Sequence, residues 1–271
     1  MLIKGYERTK LTDYLRKSGP SSACIVFWHG LGDLFMFIPT FWKLRTMFPD
    51  IKIDIGLQDG VGQEFLVPDA VLIRDPNREV PGYDITFQVH YWMSEQMMGR
   101  WTKNEWCCLY ELGIDPMYSY PVLKRVKPMD DRNLVAVHFQ ATALPDDCNP
   151  SEAVAEQIWN EVKEAEFVPI ESHFQHAYHN PVNAKFSFIP EDKTARSLPA
   201  TIKNLMLLLQ TCVASIGVSS GNFHMSMSIM PERTMYLQKK FPVSCYTKRK
   251  VPVADVNNYK EGTVREWLRT L

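Results

Sequence analysis

Neither sign of charge dominates this sequence: 30 Lys and Arg stand against 31 Asp and Glu, a net charge of -1 over 271 residues. With no global field to hold a polyanion, any contact with nucleic acid or an anionic membrane must be local. The densest basic positions, Lys124, Arg125 and Lys127, then Lys239, Lys240, Lys248, Arg249 and Lys250, read first as solvated surface charge. No stretch reaches the ~18 apolar residues of a membrane span, and the opening residues show no long apolar leader. The six cysteines (Cys24, Cys107, Cys108, Cys148, Cys212, Cys245) form no CxxC pair and no regular framework. They read as reduced packing residues of a cytoplasmic protein without stable membrane insertion. P-loop and HExxH motifs are missing too, which removes the usual signatures of NTPases and zinc proteases.

What is present is an ordinary globular balance, 45% hydrophobic and 23% charged, in a length that suits two compact halves. Residues 23–28 (ACIVFW) run into His29-Gly30-Leu31-Gly32, the pattern of a buried parallel strand stopped by a glycine turn. Leu34, Phe37, Ile38, Phe41, Leu44 and Phe48 then recur at helical spacing. Further strands are expected at 51–57, 70–74 and 83–90, followed by a helix over 93–112 stopped by Gly113. Pro116, Pro121 and Pro128 break the pattern across 115–131, the expected linker. Strands at 133–139, 167–170, 185–189 and 213–218 then alternate with helices at 151–166, 199–212 and 221–230, and a last helix is expected over 263–271. Parallel strands need helical crossovers, so the alternation predicts an α/β protein of two Rossmann-like parallel-sheet domains facing a cleft. The expected domains are 1–120 and 121–255, with the helix in 256–271 packing back on the first.

Ligands of open parallel sheets sit beyond the carboxyl ends of the strands. Those positions collect Gly30, Gly32 and Asp33 from the first half, and Gln140, Glu171, Ser219, Ser220, Gly221, Asn222 and His224 from the second. Gly30-x-Gly32, with Asp54 in the next strand, invites a dinucleotide-dependent oxidoreductase. Phe35 in place of a third glycine opposes that reading, because its bulk would keep helix and strand apart. Asp33, judged by spacing alone, reads as a helix cap before it reads as a site carboxylate. In Ile216-Gly217-Val218-Ser219-Ser220-Gly221-Asn222-Phe223-His224, small residues at a strand-to-helix turn let backbone N–H groups approach an anion. A diphosphate fits there, with His224 either donating to a phosphate oxygen or bonded to a neighbouring loop. His173, His176 and His179 share a spacing of three, yet Phe174, Asn180 and Pro181 favour a loop and no carboxylate or cysteine completes a ligand set. No metal is expected.

Taken together, the motifs resemble the bacterial heptosyltransferase family (glycosyltransferase family 9), lipopolysaccharide-core enzymes of the two-domain glycosyltransferase-B fold. Gly32-Asp33, Pro39, Leu44-Arg45 and Phe48-Pro49 are similar to the family's opening. Val135-Ala136-Val137-His138 and the helix from Ser151 resemble its donor strand and helix. Ser197-Leu198, the helix through Leu209 and Cys212, and residues 216–225 resemble its Ser-Leu…Gly-x-Asp-Ser-Gly-x-x-His-Leu segment. The resemblance implies inverting, metal-independent sugar transfer from a nucleotide-diphosphate sugar, with Asp33 as general base and Gly30 and Gly32 in the acceptor-side loop. Gln140, Glu171, Ser219, Ser220, Gly221, Asn222 and His224 would hold the donor, Glu171 meeting a ribose or sugar hydroxyl. It favours a glycan or lipopolysaccharide-like acceptor. Hydroxymethylated DNA is the other acceptor considered, on a partly exposed surface of Tyr91, Trp92, Arg100, Trp101, Lys103 and Trp106. Ser219 stands where the family has aspartate, and residues 140–147 carry no basic side chain. Those departures support a second reading, a nucleotide-sugar-binding module without catalysis.

Overall fold

Short apolar runs bounded by glycine become strands buried on both faces, and both halves of the chain follow this rule. The computed structural model describes residues 1–5, 7, 10–58, 66–98, 100–117, 120–121, 123, 133–141, 144–173, 186–195 and 201–271. They form two compact units, Met1–Pro121 with Ser244–Lys248, and Val122–Val243 with Arg249–Leu271. Lys124, Arg125, Lys127, His176, His179, Ser197, Leu198 and most of the expected linker lie outside the described residues.

In the first unit, β1 (Leu2–Lys4), α1 (Leu11–Ser18), β2 (Ser22–Phe27), α2 (Leu31–Met47), β3 (Lys52–Gln58), β4 (Val71–Ile73) and β5 (Ile85–Val89) build a sheet of order β1-β5-β2-β3-β4. Every pair in it is parallel. β2 is buried from Ala23 to Phe27, and α2 buries every residue from Leu34 to Phe41, so the helix is apolar all round rather than striped. Phe37 stacks on Phe27 at 4.4 Å and fixes helix against sheet.

The single helix expected over 93–112 is instead a 3-10 turn at Glu95–Met97, then α3 (Lys103–Trp106), which runs into a π-helical stretch at Cys107–Leu112. A capping box sets the start of α3. Thr102 Oγ1 accepts the Glu105 N–H (3.1 Å) and the Glu105 carboxylate accepts the Thr102 N–H (2.6 Å), so the helix cannot extend back through Thr102. Gly113, at φ 74°, stops the helix where the sequence predicts.

Glu111 in this stretch turns its carboxylate inward, accepting the N–H groups of His90 (2.6 Å) and Tyr91 (2.8 Å) just past β5. Tyr91 has φ 48°, a left-handed conformation costing an L-residue about 1–2 kcal/mol, and the two bonds to Glu111 hold it there. Gly5 makes room for this contact, since a side chain at that position would collide with the Glu111 carboxylate.

The second unit contains β6 (Leu134–His138), α4 (Pro145–Cys148), α5 (Glu152–Glu164), β7 (Val168–Glu171), α6 (Ile202–Thr211), β8 (Ala214–Gly217), α7 (Gly221–Ile229), β9 (Thr234–Gln238), β10 (Val253–Asp255) and α8 (Thr263–Leu268). Its sheet, order β10-β9-β8-β6-β7, is also parallel throughout. Val135, Val137, Ile216, Trp159 and Leu268 belong to its core. Residues 186–189, expected as a strand, form a turn closed by Ile189 N–H donating to Phe186 O at 3.2 Å. The sequence pattern sends the last helix back to the first half; in the structure α8 closes the second unit's core through Val264 and Leu268. Buried Glu161 of α5 anchors it by accepting the N–H groups of Gly262 (2.8 Å), Val264 (3.0 Å) and Arg265 (3.2 Å) and the Tyr259 hydroxyl (3.0 Å). A carboxylate at a helix N-terminus gains from the dipole as well as from the bonds.

All six cysteines are buried and none forms a disulfide. Among the described residues, no helix is long and apolar enough to cross a membrane.

The buried carboxylates set the stability expected of two variants. Glu161→Ala strands three N–H groups and a hydroxyl and should cost about 2–4 kcal/mol in urea unfolding; a loss below about 0.5 kcal/mol would contradict the anchoring role. For Glu111, burial pushes the carboxyl from 4.5 up to about 7, against the two N–H bonds that pull it down. A raised folded pKa means that stability is fully present below pH 4.5 and is lost as pH rises through about 7. The loss is about 3 kcal/mol. Glu111→Gln, which cannot ionise, should flatten that part of the stability–pH curve, and parallel curves for the two proteins would refute the assignment.

Candidate active site

Each sheet has one place where the strand order reverses, and there the connections leave in opposite directions and open a crevice. In the first unit the reversal lies between β2 and β5. A small cavity of about 110 Å³ sits there, lined by Trp28, His29, Gln88, Val89 and His90. His29 Nε2–H donates to the Val89 carbonyl at 3.2 Å, which leaves Nδ1 as the acceptor nitrogen of the neutral ring. Burial lowers the His29 pKa, with Asp33 acting in the opposite sense, so the ring is neutral at neutral pH.

Gly30 is the N-cap of α2, and no side chain caps that helix end. Asp33, third residue of the helix, is therefore not its cap. Its Oδ1 pairs with Lys103 Nζ at 3.1 Å, both side chains about a quarter exposed. No other hydrogen bond reaches the Asp33 side chain among the described residues. Gly32 lies partly exposed in the same turn, and the space beside Gly30 is open, with nothing within 4 Å of where a Cβ would be.

The aromatic and basic set expected as one exposed surface is divided. Tyr91 is buried against Phe27 and Phe37, because its left-handed backbone turns the ring inward. Lys103 is engaged by Asp33, and Trp106 stacks on Tyr110 at 4.0 Å. Trp92 and Arg100 are exposed and Trp101 is half-buried.

In the second unit the reversal lies between β6 and β8, so the carboxyl ends of these strands bring His138 and the 218–221 turn together. Ser220 is the N-cap of α7 yet makes no capping bond, and its Oγ is buried without a hydrogen-bond partner among the described residues. Ahead of the helix, the first N–H groups of α7 have no intrahelical partner. Asn222 turns toward the sheet edge, its Nδ2 donating to Ser172 O (2.5 Å) and lying 3.2 Å from Ser172 Oγ and 3.1 Å from His138 Nδ1. His138 in turn stacks on His173 at 5.5 Å. His224 is buried one turn into α7, its ring edge-on to Phe223. Ser219 is half-buried in the turn.

Gln140 is buried past β6, where Ala141 N–H donates to Asn149 Oδ1 at 2.6 Å and closes the loop. Glu171 ends the edge strand β7, buried, and accepts the Thr194 hydroxyl at 2.6 Å. The turn thus gathers Ser219, Ser220, Gly221 and Asn222, whereas Glu171 lies at the end of β7 beside Thr194. Sequence reasoning did not single out Lys103 as a partner of Asp33, Ser172 as a partner of Asn222, or Glu111. Ser172 and His138 carried the signal of a strand end, and Glu111 that of a charge in an apolar helical stretch; nothing in the sequence pairs Lys103 with Asp33.

The two basic residues that directly follow β9 are engaged within the protein. Lys239 Nζ donates to Asn149 O (2.9 Å) and Lys240 pairs with Asp147 (3.2 Å). Among the described residues, no group of three His, Cys, Asp or Glu side chains is arranged to hold a metal ion.

No protein-family model and no curated protein sequence matches the chain. Solved structures do. Escherichia coli ADP-heptose LPS heptosyltransferase II superposes with a TM-score of 0.63 at 11% identity, over 92% of this chain and 98% of that one. E. coli heptosyltransferase WaaC, solved with ADP-2-deoxy-2-fluoro heptose, gives 0.55 at 12%, over 92% and 99%. TibC, a dodecameric iron-containing heptosyltransferase of enterotoxigenic E. coli H10407 solved with ADP-D-β-D-heptose, gives 0.62 at 15%; this chain spans 61% of its length, with 84% of its own covered. At these identities the likeness establishes the fold: paired parallel α/β sheets of the glycosyltransferase-B kind seen in heptosyltransferases.

Proposed function

We propose that this chain is an inverting, metal-independent glycosyltransferase that moves a sugar from a nucleoside-diphosphate sugar to a hydroxyl of a glycan acceptor. The observation that carries the reading is the turn at the second unit's strand reversal, where the α7 N-terminus meets the buried, unpartnered Ser220 hydroxyl. Helix N–H groups and a hydroxyl donor are what a diphosphate needs, and a fixed dipole can take the role that a cation plays elsewhere. That WaaC and TibC were solved with ADP or ADP-sugars makes an adenine-nucleotide sugar the first donor to test.

In this reading the Asp33 carboxylate accepts the acceptor hydroxyl's proton while that oxygen bonds to the anomeric carbon, from the face opposite the diphosphate. The bond from the anomeric carbon to the diphosphate oxygen breaks, and its electron pair leaves with the diphosphate. The α7 N-terminus and the Ser220 O–H stabilise that charge, and His224 is assigned to the same phosphate. What favours a glycan as the acceptor in this proposal is that two members of the surface considered for DNA are engaged elsewhere, Tyr91 buried and Lys103 ion-paired.

Calorimetric titration of ADP-heptose, UDP-glucose and GDP-mannose should give binding of at least one below millimolar, and absence of binding for all three would contradict the reading. Ser220→Ala should weaken that binding about ten-fold. Asp33→Asn should lower nucleoside-diphosphate release by about 10²–10⁴ while the donor Kd stays within about two-fold. Tight donor binding without release for any acceptor would leave a binding module.

A further inference from the structure

Ser244–Lys248 belongs to the first unit although the chain on either side of it belongs to the second. Cys245, Tyr246 and Thr247 are buried, so the segment is anchored and Lys248 emerges from a fixed base. Its Nζ lies 3.3 Å from Glu105 Oε2 and donates to the Arg100 carbonyl at 3.1 Å. Glu105 is buried, and the same Oε2 accepts the Thr102 N–H. Lys248 therefore supplies the positive charge beside a carboxylate that closes the α3 capping box, and it ties the residues on either side of Thr102. The next residue is Lys103, whose ammonium holds Asp33 Oδ1 at 3.1 Å. A buried carboxylate stripped of its cation is costly, so this chain of contacts is stiff at the Glu105 end.

We propose that Lys248 and Lys103 are positioning residues for Asp33: the Ser244–Lys248 segment straps the start of α3 in place, and Lys103 fixes the rotamer of the carboxylate. This rests on the reading of Asp33 as general base. Lys248 touches no reacting group, and Lys103 touches only Oδ1 of the Asp33 carboxylate, which it orients. Lys248 acts through Glu105 and Thr102 on Lys103, and Lys103 acts through its ion pair on Asp33. A carboxylate that must lie within hydrogen-bond reach of an acceptor hydroxyl gains from being held, since small misplacements of a base are expensive in rate.

The test uses the full chain with Lys248→Met, Lys248→Arg, Lys103→Met, the Lys103→Met/Lys248→Met pair and Asp33→Asn. Amide hydrogen exchange at Thr102, Glu105 and Trp106 should accelerate about ten-fold in Lys248→Met, remain as wild type in Lys248→Arg, and stay unchanged at Ile158 and Val162 in the second unit. ADP release from ADP-heptose should fall about ten-fold in kcat for Lys103→Met and for Lys248→Met, with the donor KM unchanged. The double variant should be no slower than Lys103→Met, because both changes break one chain of contacts. Unchanged exchange in Lys248→Met, or losses that multiply in the double variant, would overturn the proposal. So would wild-type kcat in Lys248→Met when Asp33→Asn is inactive. Full ADP release by Asp33→Asn would instead remove the base assignment, and a wild-type protein that releases no ADP would count against the donor; in both cases the exchange measurement still decides whether the strap exists.

Discussion

Parallel pairing is the constraint on which the rest of the molecule depends. Neighbouring strands that run the same way cannot be joined by hairpins, so each connection crosses a face of the sheet and all carboxyl ends meet along one edge. Where the order reverses, at β2/β5 and at β6/β8, no crossing connection covers that edge, and backbone N–H groups and polar side chains are left there to meet a ligand. Gly30 to Asp33 and Ser219 to Asn222 occupy these two reversals. Their chemistry differs because the residues after each strand differ. The first turn presents a carboxylate held by an ammonium, and the second presents a helix N-terminus and a hydroxyl.

Carboxylates fix the loops around this framework. Glu111, Glu161 and Glu105 are all buried, and each accepts at least one backbone N–H from a segment that lacks a regular partner. At Glu105 and Glu161 the cost of desolvation is offset by bonds to otherwise stranded donors, whereas at Glu111 burial outweighs the two N–H bonds and holds the carboxyl up at about 7. Glu111 lets Tyr91 adopt its left-handed conformation beside the first reversal, Glu105 sets the start of α3, and Glu161 brings α8 onto the second sheet.

The strands and helices around both reversals were legible in the sequence because continuous apolar runs meeting glycine have few other uses. The expected strand at 185–189 failed for an instructive reason. Phe186 and Phe188 stack on one another at 5.2 Å and pack on Phe139 and Trp159 from a turn, so their spacing reflects core packing and not strand pairing. The helix expected over 93–112 is divided because the Thr102–Glu105 capping box starts α3 within it. Asp33 reads first as a cap from its spacing; Gly30 at the N-cap position of α2 removes that reading, and the partner of the carboxylate, Lys103, lies 70 residues further on. Glu171 lies at a strand end, and the fold brings Thr194 beside it, 23 residues further on. Partnerships across such separations leave no local periodicity to read.

In the proposed function the second unit's strand reversal holds a nucleoside diphosphate. A crystal structure of the protein grown with saturating ADP tests it most directly. The β-phosphate is expected within hydrogen-bond reach of the Ser220 hydroxyl and the first N–H groups of α7. ADP lodged instead in the Trp28–His90 cavity of the first unit would contradict it.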